Sequence, residues 1–600
     1  MAGSGGQASP SPSSTVRVTI NGGGTIVGKH QPASADYPKA LDLFYGIPYG
    51  EAPRRFRPAV AVAPPGPGRT LRADEEGPTQ PFPMAPRGAA SERELRLTIV
   101  RPAGASPSPP SSTGTSQQAE GAEEETPRLP VIVYVHGGAF NFGHPLERDL
   151  AAFVAWAPRD VLVVGIEYRL GALGFLSAGH GEEAETRLGP GNLGLWDQRL
   201  ALAWVGAWAA AFGGRVHDVT LMGVSAGAHS VGHHMLSPTP APLPIRKAIL
   251  ESGSPTARSV LAAAHPRPLA QLASLRALAR GRPLSRLPLA ELLDAAVLVW
   301  AEDAASACWP FQPVVDGAGG FIPEAPARLW RRLLAPDEGE EGGGGKASPR
   351  RRPPAVITGF CSHEGTQFVP QHAATNADFL AFFRTLIPAL SAADLAALEA
   401  LYPDPASSPQ LRNPPAWPPR RFGAQYRRLH EAYAHYAYIA PVLHTAHTLA
   451  RAGARVHLYE YAAVASTGAA GDHVAAAAHG DHAPVVAHDM AHLAGRPGLE
   501  AVARAVNARW AAFAAHPEGE LDPDSWPAFV SPFDDDGGEH RGSNVGRLLV
   551  FGRGNDEAAG GSDPGVPVQT RTLTRREMDQ CRFWWDRMEL SQGRGVRPVQ

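Results

Sequence analysis

The stretch Val219-Thr-Leu-Met-Gly-Val-Ser-Ala-Gly-Ala-His229 constrains this chain more than any other. A short apolar β-type run ends in G-x-S-x-G and then turns helical. A sharp reversal from strand to helix leaves no room for side chains beside the serine, so the flanking positions, Gly223 and Gly227, must be tiny. The turn would push the Ser225 hydroxyl out at the carboxyl edge of a sheet. The next amides would point to the same place, at the positive end of the helix. Alone, the five-residue pattern is common enough to arise by chance, and its weight comes from its setting.

Further continuous apolar runs lie at 131–135, 161–164, 247–250 and 356–358, and Ala-rich helical stretches at 196–212, 427–452 and 498–515. Unbroken apolar strands alternating with helices imply a large, mostly parallel sheet covered on both faces, an α/β architecture. Residues 16–20 and 25–27 flank a glycine turn and predict a hairpin. At about 150 residues per domain the chain could hold about four domains. However, its polar segments separate no two self-sufficient apolar blocks. Residues 1–14 are expected to be disordered, and 15–600 to form a single domain with low-complexity inserted loops at 104–128 and 336–352. A third soft region is expected at 534–565, rich in Asp and Gly.

With 44% hydrophobic and 19% charged residues the chain can bury a sizeable core, which excludes wholesale disorder. A net charge of −3 gives no reason to expect a nucleic-acid partner. The three cysteines, Cys308, Cys361 and Cys581, are too few and too scattered for a disulfide framework. The N-terminus has neither the basic start nor the apolar stretch of a secretory signal, and no run of about 18 apolar residues occurs. A cytoplasmic location with no membrane association is therefore expected; the oligomeric state is not readable.

Residues 130–140 read as a strand running into His136-Gly137-Gly138-Ala139-Phe140. A tetrahedral intermediate carries negative charge on a former carbonyl oxygen, and glycines let backbone amides come close enough to stabilise it. The amides of Gly138, Ala139 and Ala226 are the candidate donors.

These blocks, with Phe44-Tyr-Gly-Ile-Pro-Tyr-Gly-Glu-Ala-Pro53, Glu167-Tyr-Arg-Leu-Gly-Ala-Leu-Gly-Phe-Leu176, Gly191-Asn-Leu-Gly-Leu-Trp-Asp-Gln-Arg199, Leu250-Glu-Ser-Gly-Ser-Pro255, Pro313-Val-Val-Asp-Gly317 and Cys581-Arg-Phe-Trp-Trp585, resemble the type-B carboxylesterases, the carboxylesterase/cholinesterase family of α/β-hydrolases. The resemblance runs from about residue 17 to 590. It implies an α/β-hydrolase fold and a Ser–Glu–His order: Ser225, then Glu364 in Gly359-Phe-Cys-Ser-His-Glu-Gly365, then His479 before Gly480-Asp481. His473, His482 and His488 are rivals for the base, with His482 the second choice. The resemblance also implies two buried salt bridges, Arg55 with Glu92 and Arg169 with Asp197.

The chain departs from the family pattern in informative places. Val224 replaces the Glu that helps cholinesterases hold a cationic substrate, and segment 60–90 carries no cysteine-bounded loop and no tryptophan for cation–π recognition. Ala139 stands where the third oxyanion glycine would be. Trp309 falls where the family lines its acyl pocket, which would favour a small acyl group; a plain core tryptophan is the equal alternative.

The expected activity is hydrolysis of neutral, moderately apolar carboxylic esters through a serine acyl-enzyme, with a small-molecule ester as the partner and no metal or cofactor. Three alternatives remain. The same acyl-enzyme could transfer its acyl group to an alcohol or amine, or the chain could be a non-catalytic recognition homologue. Finally, His488-Asp-Met-Ala-His492 could place two histidines on one helix face for zinc.

Overall fold

The computed structural model describes residues 15–20, 22–82, 90–105, 128–177, 191–237, 244–257, 260–304, 309–334, 353–414, 417, 421–465, 475–533 and 544–593. Residues 1–14, the second inserted loop and all but the ends of the first lie outside them, as do Cys308 and His473.

One sheet runs through the chain. Its strands are β1 (Thr15–Thr19), β2 (Thr25–Gln31), β3 (Leu41–Glu51), β4 (Glu94–Pro102), β5 (Leu129–Val135), β6 (Leu162–Ile166), β7 (Gly214–Val224), β8 (Ile245–Glu251), β9 (Ala355–Cys361), β10 (Val456–Tyr461), β11 (Arg547–Arg553) and β12 (Val566–Thr572). They lie in the order β1-β2-β3-β4-β6-β5-β7-β8-β9-β10-β11-β12, with two further short strands on β2 and β3. Pairing is parallel from β6 through β11 and antiparallel at both ends. The hairpin β1–β2 and the parallel core match the sequence-based expectation. The soft region expected at 534–565 is instead largely ordered over its described part: β11 is a buried strand within it. Its core, Leu548-Leu-Val-Phe551, is short, and the flanking Asp and Gly masked it.

Alternation along β5 shows why both faces are covered. Val131, Val133 and Val135 pack into one apolar cluster and Ile132 and Tyr134 into the other. Helices α1 (Leu150–Trp156) and α4 (Pro497–Ala515) cover the second face; α2 (Leu193–Trp208) and α3 (Ala226–Leu236) cover the first. With no solvent-facing side, each strand position can be apolar, which produces the unbroken runs seen in the sequence.

The chain passes from β5 outward to β6 and then to β7 on the other side of β5. Ligands bind such sheets outside the carboxyl ends of the strands where direction switches. Here that point is the β5–β7 crevice.

Arg169 and Asp197 form the buried pair expected, bidentate at 2.7 Å on both arms and almost fully shielded. Arg55 meets Glu92 at 2.6 and 2.7 Å, but Glu92 remains about a quarter exposed (26%), so this second pair is only half the buried bridge expected. Glu92 sits just outside β4, where solvent reaches its carboxylate.

Candidate active site

Strand register places the parts. Val135 pairs with Gly223, Val224 with Glu251, and Glu251 with Gly359, so the carboxyl ends of β5, β7, β8 and β9 lie side by side. Ser225 follows β7 directly and caps α3, with φ 54° and ψ −121°. That is a strained conformation for a residue with a Cβ. Its amide is held by the Glu251 carbonyl at 2.8 Å. The flanking glycines are sterically required: a Cβ on Gly227 would lie 2.0 Å from the Val135 carbonyl oxygen, and one on Gly223 would lie 2.4 Å from the Gly227 backbone.

His479 Nε2 lies 2.8 Å from Ser225 Oγ, and its Nδ1 lies 2.5 Å from Glu364 Oε2. The imidazole is walled by Tyr438 and Phe368, with ring centroids at 4.4 and 5.3 Å. Glu364 is fully buried. Burial alone would raise its pKa, but the adjoining His479 ring, hydrogen bonds from that ring and from Ser252, and the Cys361 amide at 2.7 Å more than offset this and hold the carboxyl below its ordinary range. A carboxylate so placed fixes the ring tautomer and favours the imidazolium.

His482, the second choice for the base, is turned away. Its Nδ1 lies 3.2 Å from the Cys361 thiol and its Nε2 3.6 Å from Glu251 Oε2, both buried. Glu251 also takes Arg148 at 2.6 Å and the Trp510 indole at 2.8 Å. His488 caps a short helix and stacks on Trp156, whereas His492 belongs to the next helix, Met490–Leu493. The single helix face needed by a zinc-type H-x-x-x-H pair does not form.

The loop after β5 brings its main chain against the serine turn. A Cβ on Gly137 would lie 2.9 Å from the Val224 carbonyl and 3.3 Å from Ser225 Cβ. The amides of Gly138, Ala139 and Ala226 donate to no protein group among the described residues. A small cavity beside Ala139 and Ala226 is lined also by His229, His233 and Gln312. Trp309 stands 6.0 Å from Phe368, itself against His479, and 5.6 Å from Trp300, so it belongs to the aromatic wall leading to the imidazole.

Several contributors had no assigned role in the sequence. Ser252 lies in the Leu250–Pro255 block but only its left-handed backbone (φ 51°) and proximity to Glu364 reveal a use. Phe368 and Tyr438 carry no motif.

Asp481 accepts the Ala478 amide at 2.7 Å, bracing the loop that carries His479. Burial raises its pKa, the Ala478 bond offsets part of the rise, and the Glu364 charge adds to it, leaving the carboxyl at about 7. An acid whose pKa is higher folded than unfolded costs stability as it ionises. Its contribution is intact below the unfolded pKa of about 3.9 and is lost as pH rises through 7. Asp481→Asn is expected to keep the amide acceptor but remove this loss. Melting curves at pH 5 and pH 8 should show the variant gaining more on the parent at the higher pH; equal gaps at both would refute this.

A family model described as the carboxylesterase family matches residues 13–537. Secreted lipase 4 of Gibberella zeae is 30% identical over 458 residues, covering 73% of this chain and 74% of that protein. Acetylcholinesterase of Gallus gallus is 50% identical over 128 residues, and that of Danio rerio 46% over 134, but these matches span only 16% and 20% of those proteins and 21% and 22% of this one.

Proposed function

The chain belongs to the carboxylesterase family and is a serine carboxylic ester hydrolase, and from that premise we propose that Ser225, His479 and Glu364 carry the reaction through an acyl-enzyme on neutral, moderately apolar esters. Ser225 Oγ attacks the ester carbonyl while His479 Nε2 takes its proton. Glu364 stabilises the resulting imidazolium. The amides of Gly138, Ala139 and Ala226 hold the oxyanion, a role in which one donor is typically worth about 2.7–4 kcal/mol. Collapse of the intermediate returns the proton from His479 to the leaving alcohol. Water, deprotonated by the same imidazole, then attacks the acyl carbon and frees Ser225. The observation that carries this reading is the imidazole bridging Ser225 Oγ and Glu364.

The site is read as part of one domain over 15–600, which the single sheet from β1 to β12 supports. The name of the Gibberella relative, a secreted lipase, points away from the cytoplasmic location expected from the N-terminus. Among the described residues, no helix is long and apolar enough to cross a membrane.

Val224 beside the serine, where a carboxylate would hold a cation, supports neutral substrates. Acetylcholine and its uncharged isostere 3,3-dimethylbutyl acetate should therefore differ little, or in favour of the isostere, in kcat/KM. A tenfold preference for the choline ester would contradict the assignment.

A further inference from the structure

Two successive residues of the loop after β5, Ala139 and Phe140, hold left-handed backbones, with φ 52° and 61°. Residues with a Cβ resist that region. Ala139 can leave it only if one of its two flanking peptide planes turns relative to the other. Both planes are anchored. The Gly138 carbonyl, which shares a plane with the Ala139 amide, accepts the main-chain amides of Asn141 and Phe142, each at 2.9 Å. On the other side, the Ala139 carbonyl accepts Asn141 Nδ2 and Gln312 Nε2, both at 2.8 Å.

The same two side-chain nitrogens also reach the Pro310 carbonyl, at 2.9 Å from Asn141 and 3.1 Å from Gln312. Two NH2 groups thus spend four hydrogens on two carbonyls. Only an amide nitrogen can face two carbonyl oxygens, so the side-chain orientations follow from the chemistry. Asn141 is fully buried and its Oδ1 meets no partner among the described residues, a cost that its donors must offset.

We infer that Asn141 and Gln312 are positioning residues that lock Ala139 in its left-handed conformation and so aim its amide at the oxyanion. Through Pro310 they also tie that amide to the segment bearing Trp309. The inference rests on the proposed oxyanion role of Ala139. Their amide nitrogens are directed at the Ala139 and Pro310 carbonyls, so in this role they act through the peptide planes.

The test compares Gln312→Leu and the near-isosteric Gln312→Glu, which cannot donate when ionised, with Ser225→Ala. A neutral nitrophenyl ester gives kcat and KM, and a trifluoromethyl ketone, whose adduct oxygen occupies the same hole, gives a second readout. Expected are at least tenfold lower kcat, KM within threefold, and ketone affinity falling in parallel. Adding Ala139→Gly to Gln312→Leu should recover threefold or more, because glycine takes positive φ without penalty. A folded Gln312→Leu with kcat within threefold of the parent, or a fall in kcat with ketone affinity unchanged, overturns the inference. Should Gln312→Leu fail to fold, Gln312→Glu is judged by the same limits. Loss of activity in Ser225→Ala with normal kcat in the Gln312 variants overturns the clamp alone. Full activity in Ser225→Ala overturns the reading beneath it as well.

Discussion

Replacing Ser225 with alanine is expected to lower kcat by about 10⁴- to 10⁶-fold while KM stays within a few-fold. In the proposed reaction the hydroxyl is the group that bonds to the acyl carbon, so its loss would remove the covalent path and leave only binding and the oxyanion amides. On the proposal that Ser225 and His479 act as a unit, the double variant with His479→Ala should be no slower than Ser225→Ala. A second consequence concerns stability. Ser225 sits at φ 54°, ψ −121°, a strained placement that costs on the order of 1–3 kcal/mol. Ser225→Gly should be as inactive as the alanine variant yet unfold at higher denaturant than the parent. An active Ser225→Ala, measured on a nitrophenyl ester in a preparation free of host esterase, would refute the assignment.

The second large effect is structural. Asp197→Ala would leave Arg169, only about 2% exposed, with a buried charge and, among the described residues, one remaining acceptor for its guanidinium, the Arg57 main-chain carbonyl. Breaking such a pair from one side costs about 3–5 kcal/mol. The pair ties the segment after β6 to α2, and the fit there is tight: a Cβ on Gly174 or Gly194 would lie 2.1 or 2.6 Å from the Arg169 carbonyl oxygen. Arg169→Met combined with Asp197→Ala should recover part of the loss, since no charge is stranded. Glu92→Ala should cost less, because Arg55, though only 8% exposed, keeps the Leu284 and Leu287 carbonyls as acceptors at 3.0 and 2.7 Å. Urea midpoints measure all three; a Glu92→Ala loss equal to that of Asp197→Ala would contradict the burial argument.

The parts most legible in the sequence were those where sterics leave one choice. Gly223 and Gly227 could be read from the turn that a strand–serine–helix reversal demands, and the structure gives the reason as contacts shorter than any Cβ tolerates. The parallel core could be read because strands buried on both faces are apolar throughout. β3 and β4 escaped notice because they carry Asp42, Arg96 and Arg101 among their apolar residues; Arg101 is buried against Asp42, which no local pattern reveals. Glu364 has no local signature and could be singled out only through its block. Gln312 and Ala139 are far apart in the chain, and nothing in either segment announces that an amide side chain meets that carbonyl. What is local and steric can be read from a sequence; what depends on a partner brought in by the fold cannot.

The central claim is that Ser225 is the nucleophile, and active-site labelling tests it most directly. The full-length protein would be treated with a fluorophosphonate until activity is gone, digested, and mapped by mass spectrometry. The account predicts one adduct per chain, on the peptide containing Ser225, rising in step with the loss of activity. Complete inactivation with the adduct on any other residue, and Ser225 unmodified, would contradict it.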